Sequence, residues 1–228
     1  MQSEIKTKIG IYGGTFSPIH IGHIASALSF KKQFGLDKLI IMPASVPPHK
    51  TLKDGVSTEH RYNMCLKAFE NVSEVEVSRL EIDRVGKSYT FDTVSAIRDL
   101  YPDSELYLLC GTDMILTFDD WYRYDELLRM INLVYARRES DESIGKELEK
   151  KIAKYRSEFD ASIQLLSLDA SVLCVYPEFE ERVKTLGNKV NDNISSTLVR
   201  TLLAEGKSVG ALLPCRVVEY INANGLYV

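Results

Sequence analysis

Residues 8–23 read KIGIYGGTFSPIHIGH, and they say more about the architecture than any other part of the chain. The first seven form a short apolar run that stops at two glycines, the composition of a buried strand ending in a sharp turn. Ser17 and Pro18 follow as a turn or helix-entry signal. His20 and His23 are three apart, so on a helix they share a face. A helix that begins beside them offers free N–H groups and a positive dipole end. Backbone and imidazole together then make an anion site, whose natural occupant is a chain of phosphates. Two alternatives compete with this reading. An HxxH pair is part of a zinc site, but zinc takes three or four protein ligands and no third is evident nearby. Two histidines with purely structural roles are the other alternative, and the glycines before them weigh against it.

The same rhythm continues along the chain. KLIIMPA (38–44), VEVSRLEI (75–82), ELYLLCG (105–111) and NLVYAR (132–137) read as strands. HIASALSFKKQFG (23–35), TEHRYNMCLKAFEN (58–71), TFDTVSAIRDLYP (90–102) and YDELLRMI (124–131) have helical spacing or stop signals. This alternation predicts an α/β fold: a Rossmann-like, doubly wound parallel sheet with helices on both faces. Ligands in such sheets bind at the carboxyl ends of the strands. Residues 139–160 are mostly charged and read as a solvated helix; with the stretch up to 190, the hardest to read, they are expected to be a variable insertion. From Ile194 the pattern sharpens into a capped helix ending at Gly206 and another stopped near Gly225. The expected organisation is one domain over 1–228, with a helical segment at 194–228.

Composition narrows the partners. Apolar residues make up 45 %, enough for a substantial core, and the net charge is -4. Nucleic acid or an anionic membrane would need a dense basic face, so neither is expected as a partner. The stretch MQSEIKTKIGIYGG lacks the pattern of a signal peptide. No apolar run approaches the ~20 residues that span a bilayer. Cys65, Cys110, Cys174 and Cys215 form no CxxC pair and read as free, buried thiols of a cytoplasmic protein.

Other motifs carry chemistry beside a simpler structural reading. ISSTLVR (194–200) puts Ser195 or Ser196 at a helix N-cap, with Thr197 in the first turn and Arg200 within reach of it. A capped helix with a surface arginine is the plain alternative. SYTFDT (88–93) opens a helix whose N–H groups suit a carboxylate, or are merely capped. Trp121, the single tryptophan, sits in FDDWYRY, polar for a core and suited to stacking on a flat ring. Gly111 allows close approach at a strand end, and Asp113 is placed to accept from a ribose hydroxyl or to cap the next helix. VPPHK (46–50) is a rigid loop presenting His49 and Lys50. His60 has no assigned role, and Asp119 and Asp120 read as a solvated loop.

GGTFSPIHIGH resembles the H-x-G-H motif of the nucleotidyltransferase superfamily, which shares its histidine signature with class I aminoacyl-tRNA synthetases. The synthetase reading fails because the chain is too short for an anticodon-binding region, is not basic and has no KMSKS-like stretch. ISSTLVR resembles the ISSTxxR motif of small adenylyltransferases. With PPHK (47–50), GKSYTFDT (86–93), GTDM (111–114), Trp121 and the ending YINANGLYV, the chain resembles the nicotinate-nucleotide adenylyltransferase family. That resemblance implies transfer of AMP from ATP to nicotinate mononucleotide. It implies His20, His23 and Arg200 as catalytic residues. For ATP it implies Gly13, Gly14, Thr15, Phe16, Gly22, Gly111, Asp113, Ile194, Ser195, Ser196 and Thr197. For nicotinate mononucleotide it implies Lys50, Tyr89, Thr90, Trp121 and Arg138. Mg²⁺ is expected to arrive with ATP, without a protein metal cage. The sequence leaves the oligomeric state open, a homo-oligomer included. Two departures stand out. Ser17 occupies a position where the family usually has aspartate, and Glu139 and Ser140 replace the proline and glycine expected after Arg138.

Overall fold

The computed structural model describes residues 6–45, 55–137, 144–189 and 194–228. Lys50 and Arg138, with the whole PPHK loop, lie outside the described residues. The described strands are β1 (Lys8–Gly14), β2 (Lys38–Pro43), β3 (Val75–Val77), β4 (Glu105–Gly111), β5 (Asn132–Ala136) and β6 (Ser162–Leu166). They form one parallel sheet in the order β3-β2-β1-β4-β5-β6. Helices connect them: α1 (Ile21–Phe34), α2 (Thr58–Phe69), α3 (Thr90–Leu100), α4 (Thr112–Leu116), α5 (Tyr124–Met130) and α6 (Gly145–Phe159). After β6 come 3₁₀ turns, α7 (Glu180–Leu186), α8 (Ser196–Ala204) and α9 (Cys215–Ala223).

The strand sequences are almost continuously apolar because both faces of the sheet are covered. Successive side chains still alternate between two cores. Leu39, Ile41, Tyr107 and Leu109 pack with α1, α2, α8 and α9. Ile9, Ile11, Ile40, Leu106 and Leu108 pack on the other face with α3, α5 and α6. β1 pairs with β2 on one side and β4 on the other, so the winding reverses there. A crevice opens at such a reversal, outside the carboxyl ends of the strands. The glycine–histidine stretch therefore leaves β1 at the point where a ligand site belongs.

Three expectations need correction. VEVSRLEI reads as a strand of eight residues, but only Val75–Val77, before the two polar residues Ser78 and Arg79, form one. β2, the partner, ends two residues after the last paired position, Ile41 opposite Val77, and a strand needs a ladder as well as a pattern. The helix expected to be solvated is present at Gly145–Phe159, but one of its faces is buried. α6 buries Leu148, Ile152 and Tyr155, spaced as one helical stripe, and β6 pairs with β5, so this stretch supplies the last crossover of the sheet. Lys151 of α6 also reaches Asp119 at 2.6 Å, while Asp120 is exposed, as expected of a solvated loop. Finally, Cys65 and Cys110 are buried but Cys174 and Cys215 are exposed; all four are free. Among the described residues, no helix is long and apolar enough to cross a membrane.

Candidate active site

The site is built around the turn between β1 and α1. His20 is the N-cap of α1 and His23 its third residue. The His20 amide donates to His23 Nδ1 at 3.3 Å, and the two rings stack with centroids 3.7 Å apart. A neutral His23 that accepts at Nδ1 keeps its proton on Nε2, which is then a donor; the tautomer follows from the hydrogen bond. His20 is 5 % exposed, so its ring serves as a backing to His23 as well as a polar group. One expected anion donor is already used, since the Ile21 amide donates to the Leu212 carbonyl at 2.8 Å.

Phe16 explains the shape of the turn. It is 2 % exposed and has φ 48, a left-handed conformation that a bulky residue seldom adopts. Its ring packs edge-on against Tyr12 and His23, at 5.5 and 5.1 Å. It also covers Gly14, where a Cβ would lie 2.7 Å from the ring. Gly14 is thus glycine because Phe16 folds back over it. The side chain of Phe16 is core, which leaves only its backbone for the ATP contact expected of it. Strain of this kind persists where the surroundings over-determine it, and it clusters at functional sites.

The second signature docks directly on the first. Ser196 Oγ donates to the Pro18 carbonyl at 3.0 Å, and Arg200 donates to the Ser17 carbonyl at 2.7 Å. These contacts join residues 178 and 183 positions apart. Arg200 also donates to Thr197 Oγ1 at 3.2 Å. Ser195 is the N-cap of α8, its Oγ accepting from the Leu198 amide, while Ile194 is buried. The hydroxyls of Ser195 and Ser196 therefore shape the segment, and what they offer a ligand is backbone. Ser17, the residue that departs from the usual aspartate, is 3 % exposed and shares a 2.9 Å hydrogen bond with the Tyr227 hydroxyl.

The flat-ring candidates lie on two segments joined by a ring contact between Tyr89 and Tyr122. Tyr89 is the N-cap of α3 and Thr90 its first residue. The Tyr89 ring lies 4.9 Å from that of Tyr122, next to Trp121. Trp121 is half-buried, with one indole face stacked on Phe118 at 4.6 Å. At the end of β4, Gly111 is the N-cap of α4. The exposed Asp113 carboxylate folds over it where any Cβ would collide. Thr112 Oγ1 donates to the Ala136 carbonyl at 3.1 Å and fixes the ends of β4 and β5 together.

Three residues with parts to play carry no role in the sequence reading. Thr112 binds two strand ends, and Tyr227 bonds to Ser17. Arg61 is fully buried and donates to the Thr15 carbonyl at 2.7 Å. A signal for Arg61 exists: it stands in the apolar stripe of α2 with Met64, Cys65, Ala68 and Phe69. A cation there has to find oxygen acceptors. His60, also on α2, bonds through Nδ1 to the Tyr220 hydroxyl at 3.0 Å and links α2 to α9.

A doubly wound sheet with a histidine-bearing helix start at its reversal point is the frame of a nucleotidyl-transferring fold, and comparison with known proteins agrees. The chain belongs to the cytidylyltransferase-like family, whose model matches residues 11–202, and within it to the nicotinate-nucleotide adenylyltransferases. It is 34 % identical to the nicotinate-nucleotide adenylyltransferase of Bacillus subtilis, over 96 % of this chain and 98 % of that one. Against the probable nicotinate-nucleotide adenylyltransferase of Carboxydothermus hydrogenoformans the identity is 36 %, with the same coverage. A similar fold is seen in the Plasmodium falciparum nicotinic acid mononucleotide adenylyltransferase complexed with NaAD. That structure has a TM-score of 0.72 at 20 % identity and covers 97 % of both chains.

Proposed function

We propose that this enzyme transfers AMP from ATP to nicotinate mononucleotide, giving nicotinate adenine dinucleotide and pyrophosphate in NAD biosynthesis. One observation carries the reading: α8, with Arg200 and Ser196, is bonded to the Ser17 and Pro18 carbonyls beside the two histidines. Two separate signatures thereby make one phosphate floor. The attacking phosphate is already an anion and requires no general base. Catalysis then consists of positioning and charge stabilisation. His23 Nε2–H donates to the α-phosphate as charge develops, with His20 stacked behind it. Arg200 and the start of α8 hold the departing pyrophosphate. Tyr89, Thr90 and Trp121 take the pyridine ring, and Asp113 a ribose hydroxyl. Among the described residues no group of three or more His, Cys, Asp or Glu could hold a metal ion. We assign Mg²⁺ to ATP, since this ion readily keeps waters and substrate phosphates as ligands. Four free cysteines suit a cytoplasmic setting for the reaction.

The test is pyrophosphate release from ATP and Mg²⁺ with nicotinate mononucleotide, nicotinamide mononucleotide and phosphopantetheine in parallel. Release mainly with the first is expected. Release with phosphopantetheine would overturn the roles of Tyr89 and Trp121 while keeping the chemistry. Preference for the amide would overturn the choice of acceptor alone. Silence with all three, with ATP still bound, would leave a nucleotide-binding module without turnover.

A further inference from the structure

Arg61 is 0 % exposed, yet it does not lie at a strand end or in either signature. Its guanidinium joins two loops. One amino group donates to the Thr15 carbonyl at 2.7 Å, in the turn that leaves β1. The other donates to the Ser45 carbonyl at 3.1 Å, just beyond β2, and to Thr58 Oγ1 at 3.0 Å. Thr58 Oγ1 in turn donates to the same Ser45 carbonyl at 3.3 Å. The Ala44 amide donates to the Gly14 carbonyl at 2.9 Å, one step further in. The turn carrying the glycines and histidines is thus tied to the chain after β2 by this backbone bond at Gly14 and, further out at Thr15, by one side chain on α2. Burying a guanidinium is costly, and arginine is almost never fully buried without partners that demand it. A neutral side chain could join two loops at lower cost. What the guanidinium adds is a rigid planar fork that holds two carbonyls at a set separation.

We infer that Arg61 is a positioning residue for the transfer reaction: it sets the phosphate floor at Gly13–Phe16 relative to the loop leaving β2. This inference rests on the adenylyl-transfer reading above. The Gly14–Phe16 turn has little tolerance of its own, because Phe16 is in the left-handed region with its ring wedged between Gly14 and His23. A shift at the Thr15 carbonyl therefore passes through Phe16 to the His23 ring. Misplacement of a reacting group by about 1 Å costs on the order of 10²-fold in rate.

Arg61→Lys keeps the charge but cannot span both carbonyls. It is expected to unfold cooperatively on heating, to bind adenosine as the wild type does, to bind ATP more weakly, and to lose roughly 10²-fold in kcat/KM for ATP. Wild-type kcat/KM in Arg61→Lys would overturn the inference. So would equal losses of adenosine and ATP affinity, because a general loss of structure would not single out the phosphates. If Arg61→Lys does not fold, Thr58→Val decides. It removes one acceptor of the guanidinium and one bond to Ser45 and should cost about tenfold in kcat/KM with the same adenosine–ATP split; no change would sink the idea. The comparison of ATP with adenosine is a binding measurement. It therefore reads Arg61 even if the wild type releases no pyrophosphate with any acceptor, which would be a failure of the functional reading alone.

Discussion

Replacing His23 by alanine removes a donor, an acceptor and a ring at once, and the geometry separates their effects. The donor is Nε2–H, because Nδ1 accepts the His20 amide. Loss of one such charge-stabilising donor costs about 2.7–4 kcal/mol in the barrier, or 10²–10³-fold in kcat. The acceptor contributes to the helix start, about 1 kcal/mol. The ring contacts to His20 and Phe16 contribute about another 1 kcal/mol. A loss of about 2 kcal/mol in a domain of this size lowers Tm by roughly 4–8 °C. The assay is pyrophosphate release at saturating ATP and nicotinate mononucleotide, beside a thermal melt. Two further variants separate the parts. Asparagine places an acceptor near Nδ1 but has no counterpart of Nε2–H, so His23→Asn should recover much of the melting temperature and little turnover. Glutamine places a donor near Nε2, so His23→Gln should turn over faster than His23→Asn. Near-normal turnover in His23→Ala, or a more active asparagine than glutamine variant, would refute the role given to Nε2–H.

Ser17 and Tyr227 are expected to act as one unit. Ser17→Ala and Tyr227→Phe should each cost about 1 kcal/mol in urea unfolding, with the double variant no worse than either; additive losses would show that the two hydroxyls do not share a bond. Asp169 accepts from Lys32 at 2.6 Å and caps the turn at Ser171 with bonds of 2.6 and 3.0 Å. Lys32 first, then Ser171, holds its carboxyl down to about 2. A lowered carboxyl contributes stability above its ordinary value of 3.8 and loses it as the pH falls through about 2. Because the ion pair is solvent-exposed, the cap dominates. Asp169→Ala should cost about 1 kcal/mol near neutral pH. Its deficit should shrink as the pH drops below 3.8. A deficit that does not change with pH would refute the assignment.

Much of the fold is legible in local pattern. β1 and β4 match their apolar runs residue for residue, and β2 and β5 nearly so, because a strand buried on both faces has to be apolar almost throughout. The helix starts at His20, Tyr89 and Ser195 are legible for a similar reason: capping and dipole effects act within one turn. The edge strands are not. β3 stops after three residues, two positions before β2 ends, and β6 lies in a stretch without a strong pattern, being half exposed. The residue types of the proposed phosphate floor are likewise present in the string 12–23, but their arrangement is not. That Arg200 meets Ser17, that Tyr227 meets the same serine, and that Arg61 holds Thr15 all depend on packing between elements far apart in the chain. Periodicity and capping are set by hydrogen bonds a few residues long, and a reader of sequence can see that far. Contacts 183 or 210 residues apart follow from the strand order and from which face each helix covers. Those are properties of the closed core as a whole, and they exist only once the chain has folded.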